Sequence, residues 1–334
     1  MKQIVREAAA ALLMGLIVPG CLFRGTELYL ESRGEPGETT QTEETVFHSV
    51  PLPVCLRQAD GSVTEMDMDT YLVGAVLAEM PASFEPEALK AQAVAARTYA
   101  RKAYETGGKH ADGSVCTDSA CCQAYIPEDK YLARGGTPEG VEKIREAVNA
   151  TSGWVLTYEG ALIEATYFSC SGGRTEDAAE VWGTDFPYLQ AVDSPGEENA
   201  VHYTDTVSFT PEEFCGILEI HPEGSPRSWF GTPEYTAGGG VASIAIGGEV
   251  YSGTRLRSLL GLRSTAFSVS ASDAGITITT RGYGHRVGMS QYGADAMAAS
   301  GSTFEQILTY YYQGAELTCL DEQTGKTAAA DPEG

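Results

Sequence analysis

Positive charge is scarce in this chain. Its 334 residues carry 22 Lys plus Arg against 46 Asp plus Glu, a formal charge of -24. A surface of that sign repels a phosphate backbone, which argues against a nucleic-acid partner. Histidine is rare, at five residues. No His-Glu-x-x-His pair occurs, so the usual sequence mark of a zinc hydrolase is missing. The Gly-rich segment from Gly282 to Ala294 has no Gly-Lys-Ser/Thr ending, which argues against a nucleotide phosphate loop. The apolar run from Ala8 to Phe23 falls short of the roughly 20 residues that a full membrane span needs. No internal repeat is visible.

Apolar residues make up 43% of the chain, enough for a substantial core. Lys2 and Arg6 ahead of the run Ala8–Phe23 form an export signal. Residues 1–23 are read as a retained signal anchor. A cleaved signal peptide and a lipoprotein signal with Cys21 as the lipidated residue are the alternatives, and each puts the body outside the cytoplasm. Residues 24–46 are polar and acidic and read as a linker. The body spans 47–320, and 321–334 read as a disordered tail.

Within the body, 50–68 suggests a hairpin turning at Asp60-Gly61. A helix apolar almost all round is expected over 71–80, stopped by Pro81. A second runs from Pro86 to Tyr104 with its apolar stripe at Leu89, Ala93, Ala96 and Ala100, and ends at Gly107-Gly108. Further helices are expected over 139–151, near 211–219, and over 290–300 and 303–312, with strands at 154–158 and 161–169 and a hairpin over 264–281. The expected fold is α+β: mixed helices and short antiparallel strands around a substrate cleft, with a smaller inserted subdomain at 195–260.

Glu79 is the one charge in the helix 71–80, close to its C-terminal end. The helix dipole and burial both favour its neutral form there, which suits a general acid. The alternative is a carboxylate that reaches solvent just before Pro81. His110, Cys116 and Cys122 are spaced six residues apart in a loop and form a metal candidate; Cys121 could replace Cys122. Zinc takes such N and S ligands, usually four of them. The alternative is a Cys116–Cys122 disulfide. In the Gly-rich block, glycines let a backbone approach a ligand closely, Ser290 can cap the following helix, and His285, Ser290 and Gln291 offer donors and acceptors to sugar hydroxyls.

Several long motifs occur in order. They are Tyr71-Leu72-Val73-Gly74-Ala75-Val76-Leu77-Ala78-Glu79-Met80-Pro81, then Glu87-Ala88-Leu89-Lys90-Ala91-Gln92-Ala93-Val94-Ala95-Ala96-Arg97-Thr98-Tyr99, then Ser169-Cys170-Ser171-Gly172-Gly173 with Val181-Trp182-Gly183, and last Gly284-His285-Arg286-Val287-Gly288-Met289-Ser290-Gln291. Together they resemble the stage II sporulation protein D family of peptidoglycan lytic transglycosylases. Cys170 stands where that family usually has threonine. The resemblance implies that Glu79 is catalytic and that Arg97 is a further catalytic position. It also implies substrate contacts from Gln92, Tyr99, Gln123, Tyr125, Ser169, Ser171, Gly172, His285, Ser290 and Gln291. Some members carry a His-Cys-Cys zinc site ending in Cys-Gln-x-Tyr, here Cys122-Gln123-Ala124-Tyr125, which implies a structural zinc on His110, Cys116 and Cys122.

The implied substrate is peptide-stripped glycan, cut between N-acetylmuramic acid and N-acetylglucosamine. The implied partners are a sporulation amidase and its membrane associates, acting at the engulfing septal membrane. A non-catalytic amidase enhancer that binds the wall is the rival. Glu176, just after the Ser-Gly-Gly loop, is the second carboxylate that could activate water instead.

Overall fold

The computed structural model describes residues 53–119 and 121–320. The expectations for the leader, the linker and the tail after Asp321 lie outside these residues. Among the described residues no helix is long and apolar enough to cross a membrane.

The chain opens with an antiparallel hairpin, β1 (Pro53–Arg57) and β2 (Val63–Asp67), turning at Gly61 with φ 86°. Asp67 ends β2 and caps the first helix, α1 (Met68–Glu79), its Oδ1 accepting from Thr70 N at 2.8 Å. The cap starts α1 three residues ahead of the sequence expectation. Pro86 then opens α2 (Pro86–Thr106), which closes on Gly107 in the left-handed conformation, φ 85°. The stripe Leu89, Ala93, Ala96 and Ala100 packs as expected into a first core with Leu72 and Val76 of α1. The opposite side of α2, Ala88, Ala91, Val94 and Ala95, is also fully buried, in a second core. Small alanines on both sides let neighbours approach the α2 backbone closely, so one helix serves as the wall between two cores.

Beyond a short β3 (Val115–Cys116), which pairs in parallel with β1, come α3 (Glu128–Ala133) and α4 (Pro138–Ala150). Ile144 and Val148 of α4 complete the first core. The expected strand 161–169 is two short ones, because its ends find different partners. β5 (Ala161–Leu162) pairs with β4 (Trp154–Tyr158), whereas β6 (Tyr167–Phe168) pairs with the Gly-rich block further on. A short helix, α5 (Ala178–Trp182), follows.

Residues 204–281 hold a third core built on Phe214, Trp229, Ile246, Tyr251, Phe267 and Ile278. It lies between β7 (Thr204–Phe209), α6 (Pro211–Leu218), β8 (Glu234–Tyr235), β9 (Val241–Ile246), β10 (Glu249–Ser252), α7 (Gly253–Leu259) and the hairpin β11 (Phe267–Ser272) and β12 (Gly275–Arg281). The sheet order β11-β12-β7 ties the hairpin to the strand before α6, so this region extends past residue 260.

The chain returns through β13 (Met289–Ser290), α8 (Gln291–Ala299), α9 (Phe304–Tyr311) and β14 (Glu316–Cys319). β13 pairs in parallel with β6, and β14 pairs antiparallel with β4. The pairing of β13 with β6 brings Gln291, at the start of α8, to Glu79 at the end of α1. The architecture is α+β, with mixed helices and small, mostly antiparallel sheets.

Candidate active site

Glu79 is the last residue of α1, half-buried beside exposed Ala78. Its Oε1 accepts from Ala124 N at 2.7 Å, and its Oε2 lies 3.5 Å from the Gln291 amide nitrogen. Burial pushes its carboxyl above the ordinary range, and the two hydrogen bonds draw it part of the way back. The result is a half-buried carboxyl whose proton is held more tightly than usual, with a donor at each of its two oxygens.

A polar seam runs behind it, between the first and second cores. Gln123 Nε2 donates to Ala96 O at 3.3 Å, and Tyr167 OH donates to Gln123 Oε1 at 2.8 Å. Tyr167 was not among the residues singled out in the sequence; only its place two residues before Ser169 marks it. Tyr125 is half-buried and stacks on Tyr71, with centroids 5.8 Å apart and rings 2° from parallel. Gly74 makes that stack fit: a Cβ there would lie 2.3 Å from Tyr125 Cε2 and 2.9 Å from Ile126 O. The Gln92 amide and the Tyr71 hydroxyl are buried with no hydrogen-bond partner among the described residues.

The loop leading into Gln123 gathers the sulfur and imidazole groups. The ligand atoms of His110, Cys116, Cys121 and Cys122 all lie within 4.8 Å of one another. Soft sulfur and imidazole donors so grouped suit zinc. Cys116 sits on β3, held to β1, and Asp118 O accepts from the backbone N–H of both Cys121 and Cys122. The Tyr99 hydroxyl hydrogen-bonds Cys122. Gln123, Ala124 and Tyr125 follow directly, so the cluster adjoins the segment whose Ala124 N bonds Glu79.

In the Ser-Gly-Gly loop and the C-terminal block, the helix cap expected of Ser290 is present, and several of the polar groups bond within the protein. Ser171 is fully buried; its N and Oγ, with Gly172 N, donate to Glu197 Oε2 at 2.7, 2.8 and 3.0 Å. Gly172 has φ 76° and packs on the Arg281–Gly282 backbone. Ser290 is buried, caps α8 through Gly293 N at 3.3 Å and faces Ser169 O at 3.4 Å. All three bond within the protein in this structure. His285 packs between Phe168 and Trp182, with Nδ1 accepting from Val287 N at 3.1 Å. Burial, with help from the Arg257 charge, lowers its pKa to about 4, so it is neutral at pH 7. Of these blocks Gln291 contacts Glu79 directly, and Ser169 O accepts from the backbone N of the next residue, Tyr292.

Glu176 is fully buried, paired with Arg286 Nη1 at 2.8 Å and accepting from Gly240 N at 2.9 Å. Arg286 has φ 66° and also donates to the carbonyls of Ser171, Arg174 and Gly238. A carboxylate locked in this way is not placed to activate water, so the rival role for Glu176 is lost. Arg97 lies behind the site and pairs with Asp69 at 3.5 Å. It is 4% exposed and donates to Thr151 O at 2.7 Å, Val148 O at 3.2 Å and Trp154 O at 3.3 Å. Those are carbonyls left open where α4 ends and at the start of β4, so its charge closes a helix C-terminus.

Glu79, a carboxyl whose pKa is raised by burial, thus ends α1 where α8 and the segment after the thiol-rich loop each bring a donor to it. The chain belongs to the stage II sporulation protein family. Residues 57–158 match the family model described as SpoIID, Stage II sporulation protein. The chain is 36% identical to Stage II sporulation protein D of Bacillus subtilis (strain 168), covering 98% of this chain and 99% of that protein. The protein of the same name from Bacillus amyloliquefaciens is also 36% identical, over the same shares. The Amidase enhancer of Bacillus subtilis is 30% identical over 74% of this chain and 40% of its own length.

Proposed function

We propose that this protein is a lytic transglycosylase that cleaves peptide-stripped peptidoglycan strands between N-acetylmuramic acid and N-acetylglucosamine during sporulation. The observation that carries the reading is Glu79: a half-buried carboxyl whose pKa is raised by burial, with backbone and amide donors aimed at its two oxygens. Protonated Glu79 gives its proton to the glycosidic oxygen as the bond to the muramic C1 breaks. The carboxylate left behind takes the proton of the muramic O6 hydroxyl as that oxygen bonds C1. The product is a 1,6-anhydro sugar, and the acid is restored. This route needs one carboxyl, whereas hydrolysis needs two flanking the bond. The burial of Glu176 against Arg286 supports the one-carboxyl route.

His110, Cys116 and Cys122 are proposed as ligands of a structural zinc. Bound there, the ion would supply rigidity to the turn that delivers Ala124 N to Glu79. The family relationship supports a place beside a cell-wall amidase, with the body held on the extracytoplasmic side by the N-terminal segment. The Amidase enhancer relative favours a second reading, in which the chain binds wall or amidase without cutting. Glu79→Gln separates the two. It should lower turnover of peptide-stripped glycan by about 10²–10⁴-fold while leaving glycan binding intact. Full activity in the variant would remove Glu79 from the reaction, and wild type that binds glycan but releases nothing would favour the second reading.

A further inference from the structure

We infer that Cys121 is a fourth protein ligand, so that the metal site is closed as His-Cys-Cys-Cys and has no position for water. The inference rests on the zinc reading above and goes further than its three ligands. Four donors at a tetrahedral zinc, with Zn–S about 2.3 Å and Zn–N about 2.0–2.1 Å, stand about 3.8 Å apart for two sulfurs and about 3.6 Å for sulfur and nitrogen. Cys121 Sγ lies 3.9 Å from Cys122 Sγ and 3.7 Å from His110 Nε2. Both edges involve Cys121, and both match the tetrahedron. A disulfide would need about 2.05 Å between sulfurs.

The backbone supports two neighbouring thiols acting together. Cys121 N and Cys122 N bond the same acceptor, Asp118 O, at 3.0 and 2.8 Å. Three thiolates and a neutral imidazole around a divalent ion leave one net negative charge. Lys109 Nζ donates to Cys121 O, which puts a positive charge beside that anion. A closed site has a chemical consequence. A catalytic zinc keeps an open position where it activates water, and this one would have none. Proton transfer then falls to Glu79 alone, and the ion acts only through the turn that places Ala124 N.

The test uses the full-length protein, purified without chelator and then exchanged with cobalt(II). Near-ultraviolet thiolate-to-cobalt absorption counts the sulfurs bound. Cys121→Ser should keep one metal per chain but lose one third of that absorption, the same fraction as Cys116→Ser or Cys122→Ser. X-ray absorption at the zinc edge of the unaltered protein, which does not depend on any variant folding, should give three sulfur scatterers and one nitrogen. Full absorption in Cys121→Ser, or two sulfurs at the zinc edge, would overturn the Cys121 assignment while leaving zinc in place. Protein that takes up neither metal would sink the zinc reading itself.

Discussion

Gly74 offers a sharp test of how the site is held. It lies inside α1, where alanine is normally better than glycine by about 1 kcal/mol. Here an added Cβ would stand 2.3 Å from Tyr125 Cε2 and 2.9 Å from both Tyr125 Cδ2 and Ile126 O. Ordinary carbon contacts are about 3.5–4.0 Å, so the ring has to retreat by more than 1 Å. It has little room, because it is stacked on buried Tyr71, and Ile126 N is bonded to Gly74 O at 3.1 Å. Overpacking of this kind costs about 1–3 kcal/mol, which cancels or exceeds the propensity gain. We expect Gly74→Ala to lose up to about 2 kcal/mol net in urea unfolding. Tyr125 follows Ala124 directly, so displacing it shifts the N–H that bonds Glu79, and a misplacement near 1 Å can cost about 10²-fold in rate. In a Tyr125→Ala background two of the three close contacts vanish, and the penalty of Gly74→Ala should shrink by more than about 0.5 kcal/mol. A Gly74→Ala protein that is more stable by about 1 kcal/mol, with unchanged turnover, would refute this account of the stack.

Arg97→Met should cost about 2–4 kcal/mol in urea unfolding, because it strips donors from the buried carbonyls of Val148, Thr151 and Trp154; the rate per folded molecule should hold, and a lost rate at full stability would return Arg97 to the chemistry. His285, lowered to about 4 by burial, resists charging in the fold, so its contribution to stability is complete above pH 6.5 and fades as pH falls from there to about 4. His285→Asn should flatten that part of the stability profile, and an unchanged slope would count against a half-buried neutral imidazole. Glu79 shifts the other way: its raised pKa favours the fold fully below the ordinary glutamate pKa, and this advantage is lost as pH rises through the folded value. Glu79→Gln should therefore gain stability relative to wild type between mildly acid and neutral pH, read from paired urea midpoints.

Local chemistry made much of this legible from the sequence. Pro81, Pro86 and Gly107 mark where the two helices that frame the site stop and start, a lone charge in an apolar helix pointed to Glu79, and only the start of α1 at Asp67 was missed. The helices α3, α5 and α7 span at most seven residues each, too short for an apolar period to declare itself. Long-range partners were hidden as well. Ser171 finds Glu197 26 residues on, and Ser290 meets Ser169 121 residues away. Spacing along the chain carries no sign of either, so the internal bonds of these serines were not legible. Arg286 was passed over for the same reason: its partner Glu176 lies 110 residues away. Cys121 was obscured by its neighbour, since adjacent cysteines look like alternatives until the fold brings both sulfurs to one imidazole.

The central claim is that one glutamate serves as acid and then as base. It is tested most directly by mass spectrometry of the fragments released from peptide-stripped glycan strands. The account predicts 1,6-anhydro ends from the wild type and from Glu176→Gln protein that remains folded, and no fragments from Glu79→Gln. Fragments mainly one water heavier, with reducing ends, that persist in Glu79→Gln would contradict it.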